Sequence, residues 1–180
     1  MLSAVLKRKL ILNFYRYDTN RDGVLELDDF LQPAKLKAAS LGIKSGSTEY
    51  KRMMAAKEEN WVSLSNAMGN GDKGIIVLDE YLDKRSHASK HDDEKLMQTT
   101  KKIAGDSFDF LDHNHHGKIS SKEYVKFLQH RGIAQATAED AFKQLDTAGH
   151  GYLTKDQYQH LSLEYYFSDN PKAPGNWLYG

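Results

Sequence analysis

Asp18, Asn20, Asp22, Glu26 and Asp29 fall within one twelve-residue stretch, and Asp112, Asn114, Ser120 and Glu123 repeat most of that spacing. All of them offer hard oxygen atoms. Placed at positions 1, 3, 5, 9 and 12 of a turn, with a backbone carbonyl from position 7, such oxygens can wrap a calcium ion, which takes roughly six to eight oxygen ligands. Val24 and Lys118 stand at position 7. Position 6 must turn sharply, and it is Gly23 in one stretch and Gly117 in the other. The first stretch closes on Asp29, whose side chain is one methylene shorter than the usual glutamate. That shortening favours six-coordinate binding and so admits magnesium. The second places His116 at position 5, where an oxygen belongs; a neutral imidazole suits softer transition metals better. The residues therefore predict one well-formed calcium site and one impaired site.

Two further segments share the frame without the ligands. DTNRDGVLELDDF, GNGDKGIIVLDEY, DHNHHGKISSKEY and DTAGHGYLTKDQY align on glycines 23, 74, 117 and 151. They align equally on the aliphatic residues Leu25, Ile76, Ile119 and Leu153, and on the closing aromatics Phe30, Tyr81, Tyr124 and Tyr158. In the second loop, positions 1, 3 and 5 are Gly69, Gly71 and Lys73, leaving Glu80 as its one strong ligand. In the fourth, Ala148 and His150 hold positions 3 and 5, and Gln157 replaces the closing carboxylate. Both read as silent, and as structural partners of the live loops. Leu25 is expected to pair with Ile76, and Ile119 with Leu153. The cluster His113, His115, His116 invites a zinc or nickel reading, but closely spaced histidines in a loop seldom converge on one ion, and no thiolate assists.

A helical pattern precedes each loop: Leu10, Ile11, Phe14 and Tyr17 before the first, Met53, Met54, Trp61 and Leu64 before the second. Ile103, Phe108 and Leu111 lead into the third, Phe142 and Leu145 into the fourth, at the spacing of an amphipathic helix. Thr48 and Thr137 are the expected N-caps of the second and fourth of these helices. Gly42, Gly46 and Gly132 mark turns between units, and Pro33 is expected to kink the helix after the first loop or delay its start. The fold class that follows is all-α. Four helix–loop–helix units of the EF-hand kind form two pairs, packed into one compact body, with short two-strand ladders between paired loops. The division expected is 1–90 for the first pair and 91–180 for the second, with a C-terminal tail from about 166.

Composition narrows the function. The net charge is zero and cysteine is absent. There is no electrostatic reason to expect nucleic acid as a partner, and no disulfide framework or thiolate zinc site. The mildly apolar start, Met1 to Leu12, is interrupted by Lys7, Arg8 and Lys9 and reads as the opening of a helix rather than a signal segment. No apolar run has the length of a membrane span. A cytoplasmic monomer whose partners are metal ions is the expectation, with no protein target indicated. With no phosphate-binding glycine loop and no nucleophile motif, the chain does not read as an enzyme.

With those residues in place, the chain resembles the sarcoplasmic calcium-binding protein family, and within it the calexcitin group. The resemblance rests on DTNRDGVLELDDF with its closing aspartate, the short linkage around GIAQATAEDAF, the degenerate fourth loop, and the tail EYYFSDNPKAPGNWLYG. It implies a single chain whose hand pairs pack face to face with the C-terminal segment tucked against them. It further implies calcium and magnesium buffering or calcium signalling. A competing reading is a coelenterazine-type luciferin-binding protein or calcium-triggered photoprotein. The stretch Gln159-His160-Leu161 before a tail ending in Tyr179 resembles theirs, although Glu164 stands where tryptophan is expected and the fourth loop has lost its ligands. A calmodulin-like target regulator is the third reading; five scattered methionines make a poor apolar groove for it.

Overall fold

The computed structural model describes residues 2–71, 74–91, 93–112 and 114–180, with the main chain alone over 88–91. Helices and very short strands alternate: α1 (Ala4–Tyr17), β1 (Val24–Leu25), α2 (Leu27–Ser40), α3 (Thr48–Met68), β2 (Ile76–Val77) and α4 (Leu78–His91). They continue with α5 (Glu94–Leu111), β3 (Lys118–Ser120), α6 (Ser121–Gln129), α7 (Gln135–Leu145), β4 (Tyr152–Thr154) and α8 (Lys155–Phe167), then a 3-10 turn at Pro174–Trp177. Each strand leads directly into the helix that leaves its loop. The described residues thus form four helix–loop–helix units, and the all-α class with two short ladders is as the sequence predicts.

The chain divides into two units. One holds Leu10–Thr99 with Leu2; the other holds Ser3–Lys9 and Thr100–Gly180, so α1 and α5 each contribute to both.

In the first unit β1 and β2 pair antiparallel, Val24 opposite Val77 and Leu25 opposite Ile76. Leu25 and Ile76 are wholly buried. The two hands also exchange aromatic rings. Tyr81, which closes the second hand, lies 5.7 Å from Phe14 on α1, and Phe30, which closes the first, lies 5.5 Å from Trp61 on α3. Tyr81 is anchored further by donating its hydroxyl to the buried Asn13 Oδ1 at 3.0 Å.

The second unit repeats the scheme. Ile119 opposes Leu153 across β3 and β4. Tyr158 packs on Phe108 at 6.1 Å, and Tyr124 on Phe142 at 5.5 Å. Both expected cross-loop pairs are therefore formed.

Three local expectations shift. Ser47, one residue before Thr48, is the N-cap of α3, its Oγ accepting the Tyr50 N–H at 3.2 Å. Thr137 lies inside α7, which begins at Gln135 after Ala134 without a side-chain cap. Pro33 lies within α2 without delaying it: the helix starts at Leu27, where the Asp29 carboxylate accepts the Glu26 N–H at 3.0 Å. A first-turn cap fixes the start locally, and the proline costs one intrahelical hydrogen bond further along.

The C-terminal segment begins after Phe167 and is fastened within the second unit. Lys9, buried, donates its ammonium to the Glu164 carbonyl (3.2 Å), the Ser168 carbonyl (2.8 Å) and Asn176 Oδ1 (2.7 Å). A cation at the last turn of α8 complements the negative end of the helix, sharing the Glu164 carbonyl with the Ser168 N–H. Gly175 donates its N–H to Glu164 Oε2 at 2.8 Å, and any side chain there would meet the Leu161 carbonyl and Glu164 Cβ. Tyr124 donates its hydroxyl to the Trp177 carbonyl at 3.0 Å, next to the fully buried Leu178. Among the described residues no helix is long and apolar enough to cross a membrane.

Burial lowers the Lys9 ammonium to about 8, against opposing pulls from Glu164 and Asp169. Between about 8 and the ordinary lysine value of 10.5, the unfolded chain holds a proton that the folded chain has released. This group therefore favours folding more as pH rises through that window. In paired urea titrations from about pH 7.5 to about pH 9.5, the native chain should gain stability relative to Lys9→Met. A gap that stays constant would place the Lys9 amine in water.

Candidate metal centres

Loop one begins where α1 delivers Asp18, whose N–H still donates to the Phe14 carbonyl at 2.9 Å. Asp18 is buried, and its two oxygens accept the Asp22 N–H (3.1 Å) and the Gly23 N–H (3.0 Å). Asn20 Oδ1 also accepts the Asp22 N–H at 3.0 Å, and Asp22 Oδ1 accepts the Val24 N–H at 3.0 Å. These bonds bend the chain so that the side-chain oxygens of positions 1, 3 and 5 ring the loop while each carboxylate keeps further lone pairs. Glu26 follows at position 9 as the N-cap residue of α2. Asp29 is buried and turned onto the main chain: Oδ1 accepts both the Thr19 N–H (2.8 Å) and its hydroxyl (3.0 Å), and Oδ2 accepts the Glu26 N–H. Two residues have left-handed backbone, Gly23 at φ 87° and Arg21 at φ 61°. For a residue with a Cβ that conformation costs about 1–2 kcal/mol.

Loop three has the same skeleton. Asp112, buried, accepts the His116 N–H at 3.0 Å and the Gly117 N–H at 2.7 Å, and Asn114 Oδ1 accepts the His116 N–H at 3.1 Å. His115, at φ 56°, takes the left-handed position that Arg21 takes in loop one. Glu123 Oε2 accepts the Ser120 N–H (2.8 Å) and hydroxyl (2.7 Å), and Oε1 accepts from Asn114 Nδ2 at 3.0 Å. His116 contributes its main chain to the bend while the residue is exposed. The Lys118 ammonium sits 3.9 Å from the centre of the Tyr152 ring, a cation–π contact that leaves the residue's carbonyl as its one contribution at position 7. His113 and Lys73 lie outside the described residues.

The other two loops keep the bend with different means. Asp146 in loop four accepts the His150 and Gly151 N–H groups at 3.0 and 2.6 Å. Gln157 Oε1 accepts the Thr154 N–H at 2.8 Å, and the His150 ring stacks on Tyr152 at 5.7 Å. In loop two position 1 is Gly69, which caps α3 in left-handed conformation at φ 80°. Asn70, buried, donates Nδ2 to the Ile75 carbonyl (3.2 Å) and to Glu80 Oε2 (2.6 Å).

Among the described residues no three His, Cys, Asp or Glu side chains converge on one point. The donor set in loops one and three is of a different kind, mixing carboxylate, amide and main-chain oxygens along one turn. That mixture fits a hard cation of the calcium type. Loops two and four do not fit, for want of oxygens at positions 3 and 5. Sequence reasoning missed Thr19 and Arg21, the bridging role of Asn70, and the left-handed position of His115, which it weighed only as a member of a histidine cluster. A hydroxyl at position 2 and a non-glycine residue at position 4 were the available signals. His160 is exposed, 3.6 Å from Glu164 Oε1, and the Tyr179 hydroxyl pairs with that of Tyr166 at 3.2 Å. The histidine on which the luciferin resemblance rests therefore faces solvent.

Residues 104–128, the end of α5 through loop three and α6, match the EF-hand family. Over 168 residues the chain is 24% identical to calerythrin of Saccharopolyspora erythraea, covering 93% of this chain and 95% of that protein. It is 26% identical to clytin of Clytia gregaria, covering 98% and 87%. The solved structure of a sarcoplasmic calcium-binding protein from amphioxus superposes with a TM-score of 0.79 at 18% identity, covering 100% of this chain and 99% of that one. The chain therefore has the EF-hand fold of the sarcoplasmic calcium-binding proteins.

Proposed function

We propose that the chain is a cytosolic calcium-binding protein, a buffer or signal carrier, that takes its ions in loops one and three. The observation that carries this reading is the set of oxygens on loop one. Asp18, Asn20 and Asp22 sit on a bend held by main-chain N–H groups, with the Val24 carbonyl and Glu26 following and Asp29 at the close. The amphioxus sarcoplasmic calcium-binding protein, which shares the fold along the whole chain, and calerythrin, 24% identical over 93% of it, support the reading by likeness.

In this reading Asp18, Asn20, Asp22, Val24, Glu26 and Asp29 hold one ion, and Asp112, Asn114, Lys118, Ser120 and Glu123 hold the other, with His116 beside it. A bound calcium supplies concentrated positive charge and no redox chemistry. The protein's part is to keep the position-1 carboxylates buried and oriented, and to release the closing carboxylates from their helix-cap bonds. A coelenterazine-type luciferin is the competing reading, since clytin shares the fold. The solvent-facing His160 gives it no support.

Calorimetric titration with calcium should find two sites. Asp18→Ala should remove one and Asp112→Ala the other, and two sites surviving in either variant would sink the assignment. In the Asp18→Ala background, His116→Asp restores an oxygen ligand and a negative charge. It should tighten the remaining site by roughly tenfold or more, since ligand charge is a main determinant of affinity in such loops. An unchanged affinity would put position 5 of loop three away from the ion.

Magnesium should compete mainly at loop one, where the closing side chain is short. Asp29→Glu should raise the calcium-to-magnesium preference there by about tenfold, read by calcium titration with and without millimolar magnesium. A ratio that does not move would mean that the closing residue does not set coordination.

A further inference from the structure

At position 2 of loop two a buried amide bridges two acceptors, where the Thr19 hydroxyl at position 2 of loop one bonds only the closing Asp29 carboxylate. Asn70 is buried, and its Nδ2 donates at once to the Ile75 carbonyl (3.2 Å) and to Glu80 Oε2 (2.6 Å). Counted from Gly69, these acceptors are the position-7 carbonyl and the position-12 carboxylate. They are two of the oxygens that a calcium loop turns toward its ion. The carboxylate bond is short and charge-assisted, the stronger class of hydrogen bond. The contact between Asn114 and Glu123 in loop three is different. Asn114 is exposed, bonds one of the two acceptors, and carries its own ligand oxygen at position 3.

Loop two also lacks what would let an ion displace the amide. Positions 1 and 3 are glycines and position 5 is Lys73, so none of the three early ligand positions supplies a side-chain oxygen. Gly69 ends α3 as its left-handed cap, and the Asn70 N–H donates to the Ser65 carbonyl at 2.9 Å. The helix end thus fixes the Asn70 backbone, and with it the direction of the side chain. Six residues later Ile76 opens its strand opposite Leu25 of loop one.

We propose that Asn70 is the built-in occupant of hand two. Its side-chain amide takes the oxygens that an ion would take, so hand two stays closed at any calcium level and keeps β2 in register for the ladder with loop one. The second hand is then a permanent template rather than a lost site. Loop one meets a partner strand already ordered, and its affinity for calcium is higher for not having to order it. This last step rests on the proposal that loop one binds calcium; the closure of hand two does not.

Hydrogen exchange at the Ile76 and Val77 amides reads the closure directly, with EGTA and with calcium. In the native chain protection should be the same in both. Asn70→Ala should speed exchange in EGTA by roughly tenfold, the loss expected when a charge-assisted bond is removed. Asn70→Asp, which sets two carboxylates against each other, should speed it more. Adding Glu80→Gln to Asn70→Asp restores a carboxylate–amide contact with the roles exchanged and should slow exchange again, an effect that a space-filling role for Asn70 would not produce. In parallel, in a Glu123→Gln background, loop-one calcium affinity should fall several-fold with Asn70→Ala. Native protection that appears only on adding calcium would overturn the proposal, as would failure of Glu80→Gln to rescue Asn70→Asp. If exchange responds as expected while loop one takes no calcium in any variant, the proposed function fails and the closed hand stands.

Discussion

A helix–loop–helix unit has one apolar face and nothing of its own to cover it, and the rest of this structure depends on how that face is covered. In each unit two hands cover each other. The aliphatic residue at position 8 meets its counterpart across a ladder of two or three residues, Leu25 with Ile76 and Ile119 with Leu153. The closing aromatic of each hand then inserts against the helix that enters the other, as Tyr81 does on Phe14 and Phe30 on Trp61. Burying one such side chain is worth about 1.5–3 kcal/mol, against about 1 kcal/mol for a typical hydrogen bond within a loop. The pairing residues therefore carry more of the fold than the loop ligands do. This explains why loops two and four keep their glycine, aliphatic and aromatic positions while their oxygens are gone.

The bend of the loop is likewise independent of the ligand set. In loops one, three and four the position-1 aspartate accepts the N–H groups of positions 5 and 6, whether position 5 is Asp22, His116 or His150. A main-chain donor does not register the side chain attached to it. Loop four can thus hold the shape with Ala148 and Gln157, and loop three can tolerate an imidazole. Loop two has no aspartate at position 1, and it is there that Asn70 bridges the loop instead.

Much of this was legible in the sequence because it repeats. A glycine, an aliphatic residue and an aromatic at fixed offsets, four times over, determine the hands, the ladder partners and their register without any long-range information. What was not legible is what occurs once. The grip of Thr19 on Asp29 depends on a hydroxyl at a position without a consensus. The grip of Lys9 on the end of α8 spans more than 150 residues, and no local pattern announces it. The N-cap at Ser47 rather than Thr48 reflects two hydroxyl residues in succession, either of which satisfies the local rule. The solvent exposure of His160 depends on which face of α8 is covered. The buried residues Tyr158, Leu161, Ser162, Tyr165 and Tyr166 lie on one face, with His160 opposite, but a serine and three tyrosines make that stripe too polar to stand out in the sequence.

The closing residues show why ligand counting alone misjudges such loops. Asp29 and Glu123 each accept the N–H of the residue three before them, and so help to cap the helix that leaves the loop. An ion that recruits those oxygens must compete with these bonds. Asp29 has three donors, two of them on Thr19, and is buried; Glu123 also has three, one of them the side-chain amide of the exposed Asn114. Hydrogen bonds to a charged group are worth about 1.5–3 kcal/mol each in the folded chain. An ion in loop one would have to take oxygens from the more deeply buried of the two carboxylates, in the same place where its four carboxylates, Asp18, Asp22, Glu26 and Asp29, offer more Coulomb attraction than the two of loop three. The two effects oppose each other. Under the proposed assignment the two loops would therefore differ in both terms at once, loop one pairing more charge with a more deeply buried closing carboxylate and loop three having less of each.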